Sequence, residues 1–147
     1  MKFIDGGVCA AKGFLANGVH CGIRKSRTKR DLALIMSEVK ANAASVYTTN
    51  LVKGAPIYVT QEHLKNGIAQ AIICNSGNAN TCNADGMEIA NKMSELVGEQ
   101  LGIDSDDVIV ASTGVIGQPL DIEPIAGSMA SLADGLSDNG SDLAAEA

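Results

Sequence analysis

Val108-Ile109-Val110-Ala111-Ser112-Thr113-Gly114-Val115-Ile116-Gly117 opens as an apolar, β-branched run and breaks off into serine, threonine and glycine. The first half has the composition of a buried strand. A strand that ends in small hydroxyl residues and glycine presents bare backbone N–H groups and a hydroxyl to whatever lies beyond it. Such donors can cradle a developing negative charge, because they are in place before the charge appears. An ordinary strand followed by a glycine turn is the competing reading of the same ten residues.

A buried strand needs a core. The chain has 147 residues, within the range of one domain, and is read as a single domain spanning 1–147. At this length a fold buries roughly 70% of the unfolded surface. With two Phe, two Tyr and no Trp among 46% hydrophobic residues, the core must be packed by aliphatic side chains and alanine. A net charge of −6 and a pI of about 4.7 argue against a general nucleic-acid surface. The one basic cluster, Arg24-Lys25-Ser26-Arg27-Thr28-Lys29-Arg30, is read as a solvated hairpin loop, with the holding of an anionic group as the alternative. Cys9, Cys21, Cys74 and Cys82 are widely spaced and show no C-x-x-C, so reduced thiols in a cytoplasmic protein are expected and no metal site. No apolar run approaches the roughly 20 residues that span a bilayer, and no membrane association is expected.

Outward from the opening stretch, residues 1–50 read as extended, with strands expected over Val19–Arg24, Asp31–Ser37 and Ala43–Asn50. A helix is expected over Ala55–Gly67, with Pro56 in its first turn and Gly67 at its end. His63 falls in its last turn and is read as a surface residue; His20 shows no support as a base either. Ile68–Cys74 is a second buried-strand candidate, running into the loop Asn75-Ser76-Gly77-Asn78-Ala79-Asn80. Asparagine and glycine tolerate positive φ, and asparagine bonds nearby backbone. The loop is therefore either a self-bonded support beside a site or a well-built turn. Helical spacing returns in Met87, Ile89, Ala90, Met93, Leu96 and Val97, with Gly102 as the stop, and again in Ile122, Ile125, Met129, Leu132 and Leu136. Ser141–Ala147 reads as the start of a further helix. The fold class expected is α/β in the α+β sense, a mainly antiparallel sheet layered with helices.

Several segments together resemble one family. Gly6-Gly7-Val8 with Lys12-Gly13-Phe14, Asp31-Leu32-Ala33-Leu34-Ile35, Tyr47-Thr48-Thr49-Asn50, Asn75–Asn80 and Ser112–Gly117 occur in the order found in the α chain of the bifunctional ornithine acetyltransferase/N-acetylglutamate synthases of arginine biosynthesis. The resemblance runs from about Gly6 to the last residue, and its most specific segments are the asparagine-rich and Ser-Thr-Gly stretches. Cys9 and Ala11 stand where the family usually has threonine and proline.

The resemblance implies an ornithine-acetyltransferase-like fold, incomplete in this chain. It implies a precursor that cleaves itself before a threonine, which becomes the first residue of a β chain and the nucleophile. An N-terminal threonine supplies its own amine as base. In that scheme the Thr113 hydroxyl and the Gly114 N–H form the oxyanion hole. The acetyl group passes from N-acetylornithine to the enzyme and on to glutamate, releasing ornithine, with no cofactor and with acetyl-CoA as a possible substrate of the synthase activity. The implied assembly is a hetero-oligomer, heterotetrameric in the family, with the β chain as partner. Ala147 precedes the family's substrate-binding Thr-Thr-Asp segment and its cleavage site. The chain is therefore expected to be inactive alone and to leave an apolar face uncovered. The readings from other classes are a small-molecule or phosphate-binding module, disfavoured by the absence of G-x-x-x-x-G-K-[ST], and an assembly fragment without chemistry.

Overall fold

The computed structural model describes residues 4–26 and 28–147. At its centre lies one four-stranded sheet in the order β1 (Phe14–Val19), β2 (Leu32–Asn42), β3 (Ile68–Asn78), β4 (Val108–Val115). The pairs β1/β2 and β2/β3 are antiparallel, whereas β3/β4 is parallel. The expected mainly antiparallel pairing thus holds for two of the three pairs. A parallel neighbour cannot be reached by a tight turn and needs a crossover of a dozen residues or more. Helix α2 (Gly86–Leu101) is that crossover, and Gly102 ends it at φ +68°.

Two-residue alternation along the strands builds the core. Leu34, Ile73 and Val110 are register partners across three strands and are at most 3% exposed. Onto this face pack Val59 of α1 (Ala55–His63), Ala90, Met93 and Val97 of α2, and Ile125, Met129 and Leu132 of α3 (Glu123–Asp134). The helical spacing in the sequence therefore marks core faces, except at Met87, which is exposed at the start of α2. On the opposite face α4 (Ser141–Glu146) covers Gly18, where a Cβ would lie 2.0 Å from the Leu143 carbonyl oxygen. The rest of that face holds a shallow apolar groove of about 130 Å³ along Phe14, Ile35, Ile72 and Ile109.

Both outer strands have their free edges occupied. On β1, Ala16 and Ser137 exchange two backbone hydrogen bonds, at 2.9 and 3.1 Å. On β4 the partner is a helix. The Thr60 hydroxyl of α1 donates to the Val110 carbonyl at 2.9 Å and accepts the Val110 N–H at 3.1 Å. One turn later His63 Nδ1 lies 2.8 Å from the Val108 carbonyl. Residues three apart share a helix face, so α1 offers two side chains where a fifth strand would offer backbone.

The sequence expectations fail where pairing is not driven by apolar runs. Val19–Arg24 is not a strand: β1 comes earlier, and the N–H groups of Cys21, Gly22 and Arg24 bond to the buried carboxylate of Asp31 instead of to a ladder, at 2.6, 3.2 and 2.8 Å. Ala43–Asn50 continues β2 pairing only at Ala43, whose N–H donates to Gly67, and then binds itself locally through Thr48 and Asn50 side chains. Gly7–Ala10 is a 3₁₀ turn rather than extended chain. The basic cluster connects β1 to β2 as the expected loop, with Lys25 and Lys29 exposed, while Arg30 pairs with Glu146. Arg27 of that cluster and residues 1–3 of the expected extended segment lie outside the described residues.

Asp31 is fully buried, which by itself raises a carboxyl's pKa, yet the Arg24 and Cys21 N–H groups and the neighbouring His20 hold it below the usual carboxylate value. Its stabilisation is therefore present above the unfolded value of about 3.9 and is lost as pH falls through the lower folded value. Asp31→Asn should lower stability at pH 7 by about 2–3 kcal/mol, the scale of hydrogen bonds to a charged group. The gap from the wild type should narrow as pH drops below about 4 in urea titrations; a gap independent of pH would show that the charge plays no part.

Candidate functional site

The parallel pairing brings the two most distinctive polar stretches of the sequence side by side. Asn75 faces Ser112, Ser76 faces Thr113, Gly77 faces Gly114 and Asn78 faces Val115. Neither stretch is a loop from its first residue: β3 runs on to Asn78 and β4 to Val115. The sheet thus ends in a polar margin made from the carboxyl ends of two parallel strands, the position at which open α/β sheets present ligand sites.

Gly114 has φ +132° and Gly77 φ +106°. A Cβ on Gly114 would lie 2.3 Å from the Gly77 carbonyl carbon and 2.6 Å from the Asn78 nitrogen, so space as well as dihedral demands glycine. On Gly77 a Cβ would meet Arg24 Cγ at 2.9 Å and Ile23 Cγ2 at 3.0 Å. The loop anchored by Asp31 therefore presses on β3 from one side while β4 presses from the other.

Strand alternation fixes where the donors point. Val110 directs both its N–H and its carbonyl to the open edge, where Thr60 meets them. Two-residue periodicity sends the backbone of Ser112 and Gly114 to that same edge, beyond the reach of α1's two bonds. Thr113 and Gly114 are exposed, and Thr113 shares a sheet face with its register partner Ser76. A hydroxyl and the next residue's N–H are thus presented together at an uncovered strand end.

Other reactive side chains are engaged elsewhere. His63 is 8% exposed, not the surface residue expected, because the Val108 carbonyl and, at 3.6 Å, the Asp106 carboxylate hold it against β4. Val108 is five residues from Thr113, roughly 16 Å along the strand. His20 bonds the Lys29 carbonyl at 3.0 Å and flanks Asp31. Burial, with Asp31 close by, pushes the Cys21 thiol up to about 12, and burial raises Cys74 as well. Neither is a thiolate at neutral pH. Among the described residues, no group of three His, Cys, Asp or Glu side chains is placed to hold a metal ion, and no helix is long and apolar enough to cross a membrane.

The asparagines around the site hold backbone. Asn75 Nδ2 donates to the Asn78 carbonyl at 2.9 Å, and Asn80 Nδ2 to that of Gly86 at 2.8 Å, with both residues at most 1% exposed. Asn75–Asn80 is bonded to itself and to neighbouring backbone, and its first four residues are strand rather than loop. Sequence reasoning does not single out Thr60 or Asp31 as functional. The signals available are Thr60 and His63 spaced i, i+3 in the second half of α1, and a lone acid at the head of a buried strand.

The ArgJ family model matches residues 15–147. The arginine biosynthesis bifunctional protein ArgJ of Caldanaerobacter subterraneus subsp. tengcongensis is 48% identical over 148 residues, covering 100% of this chain and 36% of that protein. The Gloeobacter violaceus protein of the same name is 50% identical over 99% of the chain and 36% of its own length. The chain thus spans about a third of the length of these curated relatives. Among solved structures, ArgJ of Bacillus halodurans superposes with a TM-score of 0.87 at 39% identity, over 96% of this chain and 74% of that one. Ornithine acetyltransferase of Mycobacterium tuberculosis, complexed with ornithine, gives 0.90 at 35% identity, over 96% and 77%. The expected fold is thereby met.

The two-glycine contact yields a stability contrast. Gly114→Ala meets backbone on the adjacent strand and should abolish normal β3/β4 pairing, read as loss of the cooperative thermal transition. Gly102→Ala, also at positive φ but with nothing within 4 Å of its Cβ, should cost only about 1–2 kcal/mol. Equal effects would remove the special status of Gly114.

Proposed function

Because the chain belongs to the ArgJ family, we propose that it is the oxyanion-stabilising part of an acetyltransferase that moves the acetyl group of N-acetylornithine to glutamate in arginine biosynthesis. The observation that supports this reading most is the uncovered end of β4, where Thr113 and Gly114 stand exposed against a fixed Gly77. The nucleophile is a threonine on a β chain released from the same precursor by self-cleavage, the two chains assembling as a hetero-oligomer, heterotetrameric in form, in the cytoplasm. No cofactor takes part, and acetyl-CoA serves as the donor in the synthase reaction.

In the first half-reaction the threonine oxygen bonds to the acetyl carbonyl carbon, and its proton passes to the threonine's own amine. An α-amine with a pKa near 7.7–8.0 is matched to that task at neutral pH. The carbonyl oxygen becomes an oxyanion held by the Gly114 N–H and the Thr113 hydroxyl. Collapse breaks the C–N bond, and ornithine departs with the proton, leaving an acetyl-threonine ester. Glutamate's amine then attacks the ester by the same steps in reverse. Both donors act on charge that exists only in the transition state, so they raise the rate without tightening substrate binding.

In the full-length, processed enzyme, Thr113→Ala should lower kcat by about 10²–10³-fold, the usual effect of removing one such donor, with KM for N-acetylornithine little changed. Thr113→Ser should retain much of the rate, and Ser112→Ala should be milder than Thr113→Ala. Processing is checked on a gel, since self-cleavage can use the same donors. Wild-type kcat in processed Thr113→Ala enzyme would remove this residue from the site. The 147-residue chain alone should transfer no acetyl group, and turnover above a heat-killed control would place the nucleophile within it.

A further inference from the structure

Asn78 closes β3 and is 7% exposed, so its side chain must find its partners within the protein. It finds three. The amide nitrogen donates to the Gln118 carbonyl at 3.0 Å and to the Pro119 carbonyl at 3.1 Å, and the amide oxygen accepts the Asn80 N–H at 2.8 Å. The assignment of the two amide ends follows from these partners, because the reverse orientation would face oxygen to two carbonyls. Asn83 Nδ2 brings a second donor to Gln118 at 2.8 Å. Backbone ties complete the set, from Ala79 N–H to the Val115 carbonyl and from Gly117 N–H to the Thr81 carbonyl, each 2.9 Å.

These bonds address one problem. The ladder with β3 runs one residue past Gly114, to the Asn78–Val115 pair, and residues 116–119 beyond it are exposed and form no helix or strand. At φ +132° Gly114 has none of the torsional restraint that a side chain imposes. The course of the chain leaving Gly114, and with it the placing of this strand end, therefore depends also on how residues 118 and 119 are held, and Asn78 supplies two of the pins.

We propose that Asn78 is a positioning residue that aims the Gly114 N–H and the Thr113 hydroxyl, an inference that rests on the oxyanion reading of those two groups. Only an amide fits the place. It must donate twice and accept once, whereas an aspartate of the same shape would set a carboxylate oxygen against two carbonyls.

The test uses the full-length, processed enzyme with Asn78→Ala and Asn78→Asp. Each should lower kcat roughly 10- to 100-fold, the scale of a misplacement of about 1 Å, with KM for N-acetylornithine changed less than about 2-fold. Combined with Thr113→Ala, Asn78→Ala should lower kcat by less than about 3-fold further, because part of what it aims is already gone. Asn83→Ala, which removes one donor to Gln118, should lower kcat in the same direction by less, so the outcome does not hang on Asn78→Ala folding. Unchanged kcat with only a lowered melting temperature, or fully multiplicative losses with Thr113→Ala, overturns the proposal. Should Thr113→Ala itself keep wild-type kcat, the oxyanion reading falls and takes this inference with it. Loss in Thr113→Ala but not in the Asn78 and Asn83 variants overturns the positioning role alone.

Discussion

Two glycines in contact across the parallel pair β3/β4 constrain the rest of the structure. With Gly114 packed onto the backbone of Gly77, the ends of β3 and β4 approach more closely than any side chain permits. β3 and β4 run in the same direction there, which requires the crossover through α2, which in turn supplies Ala90, Met93 and Val97 to the core. The loop from Cys21 to Arg24 must then lie flat over Gly77, and the charge of Asp31 holds it there.

Side chains stand in for backbone partners wherever the sheet stops being regular. Asp31 replaces a ladder for the turn after β1, Asn75, Asn78 and Asn80 carry the chain past the end of β3, and Thr60 and His63 complete β4. Each such group would be costly to bury unpaired. The consequence for chemistry is selective. His63 and the Cys21 and Cys74 thiols are committed or disarmed, whereas Thr113 and Gly114 remain available at an exposed end.

Much of this is legible in the sequence where burial dictates pattern. The apolar runs beginning at Asp31, Ile68 and Val108 are strands, and Ile125, Met129 and Leu132 mark the buried face of α3. Helix ends at Gly67 and Gly102 reflect glycine's access to positive φ. Pairing carried by the main chain alone is not legible. Asn75–Asn78 and Ser112–Val115 look like loops because their side chains are polar, yet they lie in a ladder that ignores side chains. The same blindness invents a strand at Val19–Arg24, whose N–H groups serve a carboxylate, and puts His63 on the surface, since its partner is a carbonyl 45 positions away. For Thr113 and Gly114 the residues show only that a strand ends in donors; their assignment comes from resemblance.

The occupied sheet edges bear on how the polypeptide behaves in a crowded cell. A bare outermost strand is a template on which another chain can nucleate cross-β growth. Here one border is stitched by Ser137 and the other by Thr60 and His63, so among the described residues the sheet offers no long row of free amides to a passing strand. Recruitment of other polypeptide segments is thereby directed to the face left open along Phe14, Ile35, Ile72 and Ile109, as stacking, rather than to its borders, as fibril-like extension.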